Sequence, residues 1–265
     1  MTPSHSAALD AVIAALKNDS RIVGVAAGGS FASASMDDYS DLDLVIAVEP
    51  HAYIEVSAER KVIAAGLGKL LAAFTGEHVG EPRLLICLYE SPLMHVDLKF
   101  VSLEDASRGR VEDPVVVWER DGRLSAVLLQ DKAHYPEPDR QWIEDRFWIW
   151  THYCAAKIGR GELFEALDFL SFIRSQVLGP LALLATGARP SGVRKIETLA
   201  PQFAAELEAT IAQHSNVSCM AALEAAVRLY LDLCAPHAGT LHRDTHARGK
   251  VMDYLLKVKA AIQPV

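Results

Sequence analysis

The hydrophobic pattern changes character along this chain. Short apolar runs stand near the N-terminus, Ile22-Val23-Gly24-Val25-Ala26-Ala27 and Leu42-Asp43-Leu44-Val45-Ile46-Ala47-Val48, and two more follow over 83–89 and 94–102. Runs of this length bounded by turn residues predict strands. Between them apolar positions recur at helical spacing over 7–18 and again over 52–74, through Ile54, Val62, Ile63, Leu67, Leu70 and Leu71. A short helix is expected from Ser30 onward. The pattern weakens after residue 102, where Val115-Val116-Val117-Trp118 predicts a further strand and Asp121-Gly122-Arg123 a turn. This half of the chain reads as a mixed sheet flanked by helices.

Past His134-Tyr135-Pro136-Glu137-Pro138 the period is helical throughout. Each proline disfavours helix at the residue before it, so this stretch is read as a linker between a domain over 1–135 and another over 139–265. Helices are expected over 139–158, 162–185, 196–212, 218–234 and 247–262, the first two forming a hairpin broken at Gly159-Arg160-Gly161. Short connections favour antiparallel packing. The fold class expected is therefore α+β, an N-terminal mixed-sheet domain followed by an all-α bundle.

Composition adds boundaries to this picture. A chain of 265 residues, 51% hydrophobic and 23% charged, can bury one large or two modest cores. Its 26 basic against 34 acidic residues give a net charge of −8, which offers no electrostatic track for a nucleic-acid backbone, so no nucleic-acid partner is expected. The cysteines, Cys87, Cys154, Cys219 and Cys234, are far apart in apolar segments and read as buried thiols rather than a disulfide framework. No apolar run is read as membrane-spanning and the N-terminus lacks a signal-peptide pattern, so the expected location is cytoplasmic.

The chemistry concentrates where two strands begin and end. Gly28-Gly29-Ser30 follows the first strand, and Asp41 and Asp43, spaced i, i+2, open the second. That spacing puts both acids on one strand face. Glycines let a backbone approach phosphate closely, and a serine hydroxyl beside free N–H groups can bond its oxygens. Paired carboxylates are hard ligands for Mg²⁺, which takes one or two of them together with water and substrate phosphates. Charges at the head of an otherwise apolar strand are costly unless a cation or a solvated cleft receives them. Asp-x-Asp and Gly-Gly-Ser are each common in structural turns, and it is their conjunction that points to a metal-bound triphosphate.

This conjunction resembles the signature of the DNA polymerase β-like nucleotidyltransferase superfamily, which includes the antibiotic-modifying nucleotidyltransferases. The resemblance implies a third carboxylate on a later strand of the same sheet, and Asp97, sharing a face with Lys99 and Val101, is the candidate. Lys157-Ile158-Gly159-Arg160-Gly161-Glu162 resembles, less specifically, the helical domain of small-molecule nucleotidyltransferases, which implies that Lys157 and Arg160 reach triphosphate oxygens. A basic last turn complementing the helix dipole is the structural alternative. Among the aromatics at helical spacing, Trp142, Phe147, Trp148, Trp150 and Tyr153, at least two are expected in the core.

The resemblance thus implies a Mg²⁺-dependent adenylyl- or other nucleotidyltransferase acting on a small hydroxylated acceptor, with ATP or another NTP as co-substrate. Asp41, Asp43 and Asp97 are the expected catalytic and metal residues, and Gly28, Gly29, Ser30 and Lys157 the nucleotide-binding ones. A protein AMP-transferase acting on a partner such as a toxin keeps the chemistry and changes the acceptor. A non-catalytic nucleotide sensor is the third reading, disfavoured because phosphate binding alone does not need several carboxylates near like charge.

Overall fold

The computed structural model describes residues 1–237 and 239–262. The chain divides into two compact units, Met1–Tyr135 and Pro136–Val265. In the first unit six strands form one sheet: β1 (Ile22–Ala27), β2 (Leu42–Val48), β3 (Leu70–Gly76), β4 (Glu81–Tyr89), β5 (Met94–Ser102) and β6 (Val115–Glu119), in the order β3-β4-β5-β2-β1-β6. Only the β2–β5 pair is parallel, and every other neighbour is antiparallel. β1 is buried at all six positions, as its unbroken apolar sequence requires of an interior strand.

Alternation along β2 and β5 sorts the sheet's faces. Leu42, Leu44 and Ile46 of β2 and Val96, Leu98 and Phe100 of β5 enter a core that also takes Leu9, Val12 and Leu16 of α1 (Pro3–Leu16) and Val56 of α3 (Tyr53–Gly66). Ala47 and Val101 point the other way and pack with Leu124 of α4 (Arg123–Leu128). α1 starts where Thr2 caps it, its Oγ1 accepting from the His5 N–H, and Pro3 occupies the first turn, where its missing donor costs nothing.

The helix expected over 52–74 stops at Gly66. Residues 70–76 instead form β3, an edge strand paired antiparallel with β4. Leu71 and Phe74 are both exposed, so this apolar stretch serves strand pairing rather than a helical core stripe. Val115–Glu119 is a strand, as its valines suggest, and Gly122, in the left-handed region, leads into α4, which has too few residues to show a period.

The second unit is helical: α5 (Arg140–Arg160), α6 (Leu163–Ile173), α7 (Gly179–Ala185), α8 (Ile196–Leu199), α9 (Pro201–Leu207), α10 (Asn216–Cys234) and α11 (Thr245–Ala261). Gly161, with positive φ, ends α5. The helix expected over 196–212 breaks before Pro201, which has no N–H to give and begins α9 instead. A π-helical turn over Arg174–Leu178 joins α6 to α7, so Leu163–Ala185 is one run of 23 residues. By length and composition that run could cross a membrane, which the sequence reading missed because Ser171, Arg174 and Gln176 interrupt its apolar positions; half of its apolar window is buried in the unit's core, with Leu170, Ile173, Val177 and Leu181. All four cysteines are free and buried. Phe147 and Trp148 are core residues, while Trp142 and Tyr153 are exposed.

Candidate active site

The parallel pairing of β2 with β5 sets Asp43 directly beside Asp97. Polar side chains fall on alternate positions of both segments, so Asp41, just before β2, and Asp43 share a face with His95, Asp97 and Lys99 of β5. A one-residue slip would turn every one of these groups toward the apolar core, and the leucines and valines on the opposite face hold the register.

The glycine turn reaches this pair through the backbone and by proximity. Gly28 donates its N–H to the Asp43 carbonyl at 2.8 Å, tying the end of β1 to β2. Gly29 has φ +55°, and a Cβ there would overlap an oxygen of the Asp43 carboxylate. Glycine is required on both counts. Ser30 enters the short helix α2 (Gly29–Ala32), and its Oγ is buried with no hydrogen-bond partner among the described residues. A buried hydroxyl left so is unfavourable, and a polar ligand atom at the turn would satisfy it.

Two groups at the site escaped the sequence reading. Glu112 Oε1 accepts the Gly29 N–H at 2.6 Å, bringing a further carboxylate to the turn. It arrives from far along the chain, in the weakly patterned stretch before β6, and no local spacing points to it. His95 Nε2 donates to Asp97 Oδ1 at 2.7 Å. That contact was legible in principle, since His95 and Asp97 have the same i, i+2 spacing as Asp41 and Asp43. Burial raises the Asp97 pKa; His95 opposes the shift, and the Asp41 charge adds to it. Asp97 therefore holds a proton more readily than an exposed aspartate does.

Behind Asp41 the preceding residue is anchored. His5, 3% exposed, bonds the Ser40 carbonyl through Nε2 at 2.8 Å and Thr2 Oγ1 through Nδ1 at 2.5 Å. Among the described residues no group of three or more His, Cys, Asp or Glu is gathered closely enough to hold a metal ion. The donor chemistry of Asp41 and Asp43 suits Mg²⁺ all the same, because that ion takes one or two carboxylates and fills its other positions with water and phosphate oxygens.

Lys157 lies in the second unit at the end of α5. Its Nζ is 2.7 Å from Glu162 and 2.9 Å from Glu165, and it sits 5.0 Å from the centre of the Tyr153 ring. The hydrogen bond to Glu162, then that to Glu165, raises its pKa. Two carboxylates thus already hold the ammonium expected at the phosphates. Arg160 makes a looser pair with Glu162, at 3.6 Å.

No family model and no curated protein sequence matches the chain. Among solved structures it is similar to an aminoglycoside 6-adenyltransferase from Bacillus subtilis, at 16% identity and a TM-score of 0.40, over 94% of this chain and 96% of that one. It is also similar to a nucleotidyltransferase-like protein from Exiguobacterium sibiricum, at 13% identity and a TM-score of 0.37, over 97% of this chain and 88% of that one.

Proposed function

We propose that this chain moves a nucleoside monophosphate from a nucleoside triphosphate, ATP foremost, to a hydroxyl of a small molecule and releases pyrophosphate. The observation that carries the proposal is the assembly of one site from three separate segments: the Gly28-Gly29-Ser30 turn, Asp43 pressed against Gly29, and Asp97 in register with Asp43.

Each group has a task in that reaction. The Gly28–Gly29 backbone leaves room for phosphate to approach, and the Ser30 hydroxyl finds in a phosphate oxygen the partner it lacks among the described residues. Asp41 and Asp43 would hold Mg²⁺, which when bound offsets the negative charge of the phosphates. In the transfer the acceptor oxygen bonds the α-phosphorus, the bridging P–O bond to the β-phosphate breaks, and its electron pair leaves with pyrophosphate. The acceptor's proton goes to the Asp97 carboxylate, whose raised pKa suits it as general base and whose orientation His95 fixes.

Pyrophosphate release with Mg²⁺, the common nucleoside triphosphates and a panel of hydroxylated antibiotics and metabolites tests the proposal. Release that depends on both nucleotide and acceptor supports it. Absence of release across the panel, with nucleotide still bound, would overturn it in favour of a sensor.

A further inference from the structure

We infer that Glu112 is a built-in competitor for phosphate: its carboxylate occupies the backbone donor of the glycine turn and withdraws when a polyphosphate binds there. This rests on the nucleotidyl-transfer reading and extends it to the control of the same site. Glu112 Oε1 accepts the Gly29 N–H at 2.6 Å, and a Cβ built on Gly28 would lie 2.8 Å from the same oxygen. The carboxylate therefore lies over both glycines, on the backbone that phosphate would approach. A backbone N–H carries one proton, so Glu112 and a phosphate oxygen cannot both take it at full strength. Two anions at one donor also repel each other.

The exchange favours phosphate because Glu112 satisfies only part of the turn. It takes the Gly29 N–H, whereas Ser30 Oγ, one residue on, is buried with no hydrogen-bond partner among the described residues. A phosphate group, with several acceptor oxygens, serves both donors. The chain on either side of Glu112 is tied down. Arg110 donates through Nη2 to the Leu128 carbonyl at 3.0 Å and pairs with Asp113 at 3.1 Å, and its own carbonyl accepts the His134 N–H at 2.9 Å. Asp113 Oδ1 in turn accepts the Ala133 N–H at 3.2 Å. Withdrawal is therefore a rotation of the Glu112 side chain between staggered wells, and no loop has to open. The same carboxylate, returning to Gly29 after transfer, hastens the departure of pyrophosphate.

The test titrates pyrophosphate by calorimetry into the full chain, Glu112→Gln and Glu112→Ala at one fixed Mg²⁺ concentration, with adenosine as the phosphate-free control and thermal unfolding as the measure of folding. Glutamine keeps an acceptor for the Gly29 N–H and removes the charge, whereas alanine removes both. Pyrophosphate should bind roughly tenfold more tightly to Glu112→Gln, the factor that goes with one charge-assisted hydrogen bond, and more tightly still to Glu112→Ala. Adenosine affinity should not change. In turnover, inhibition by pyrophosphate should strengthen in the same order. Glu112→Gln carries the test by itself if Glu112→Ala loses its fold. Equal or weaker binding of pyrophosphate by the variants, no binding by any of the proteins, or a tightening that adenosine shares overturns the inference; weaker binding would make Glu112 part of the phosphate site rather than its competitor. Release that depends on nucleotide and acceptor, with no tightening, sinks this inference and leaves the transfer reading standing. Tightening in proteins that release no pyrophosphate from any nucleotide keeps the competitor and removes the transfer reading.

Discussion

At the scale of single residues, Gly29 and Asp43 behave as one part. A side chain at position 29 would be strained by the left-handed backbone and would collide with the Asp43 carboxylate. Gly29→Ala should therefore lose about 1–2 kcal/mol of stability and most of the activity, read by urea unfolding and pyrophosphate release on the same preparation. Asp43→Asn keeps the shape and removes the charge. It should cut release by roughly a hundredfold or more, with a melting temperature near that of the unsubstituted protein; undiminished release would remove Asp43 from the chemistry.

Asp97 gives a pH signature of the opposite sense to an ordinary ion-paired acid. Its pKa is raised above the usual 3.8, so the folded chain binds this proton more tightly than the unfolded one. The stabilisation is complete below 3.8 and is lost as pH rises through the folded value. Asp97→Asn should accordingly be more stable than the unsubstituted protein at neutral pH, with the advantage disappearing below 3.8 in urea titrations. An advantage that persists in acid would show that burial of the charge is not its source.

At the scale of elements, the sheet and the helical core each carry a polar device. Glu81 on β4 is held by Arg83 at 2.7 Å and by Lys99 of β5 at 2.8 Å, and these bonds lower its pKa to about 2. Its contribution is present above the ordinary value of 4.5 and lost as pH falls through about 2. Glu81→Gln should cost about 1 kcal/mol at neutral pH and almost nothing near the bottom of that window. In the second unit Glu144, buried in α5, accepts from Tyr230 Oη at 2.6 Å and from Trp148 Nε1 at 3.1 Å. Tyr230→Phe leaves that carboxylate short of a donor and should cost about 1–3 kcal/mol in thermal unfolding.

These elements also show what a sequence can and cannot disclose. β1 was legible because it is apolar over its full length, β2 and β5 because their apolar positions recur at strand spacing, and Asp41 and Asp43 because their spacing is local. β3 was not, since Leu70 and Leu71 continue a helical stripe as well as they begin a strand, and only β4 beside them decides. Glu112 could not be found from its neighbours, because its place at Gly29 is set by the fold. Lys157 was legible as a basic residue in a last turn, but its engagement by Glu162 and Glu165 depends on where the next helix starts.

At the scale of the whole molecule, the two units have separate cores, one on the two faces of the sheet and one among the helices. A net charge of −8 offers no electrostatic track for a polyanion. The parallel pairing of β2 with β5 has a consequence in time as well as in space. Asp43 and Asp97 become neighbours only after α3 and the β3–β4 hairpin, which lie between them in the chain, have been laid down and β5 has returned to β2. Contacts so distant along the chain close slowly. A refolding chain therefore forms its local elements before it brings Asp43 and Asp97 together, and their pairing reports that β5 has docked on β2.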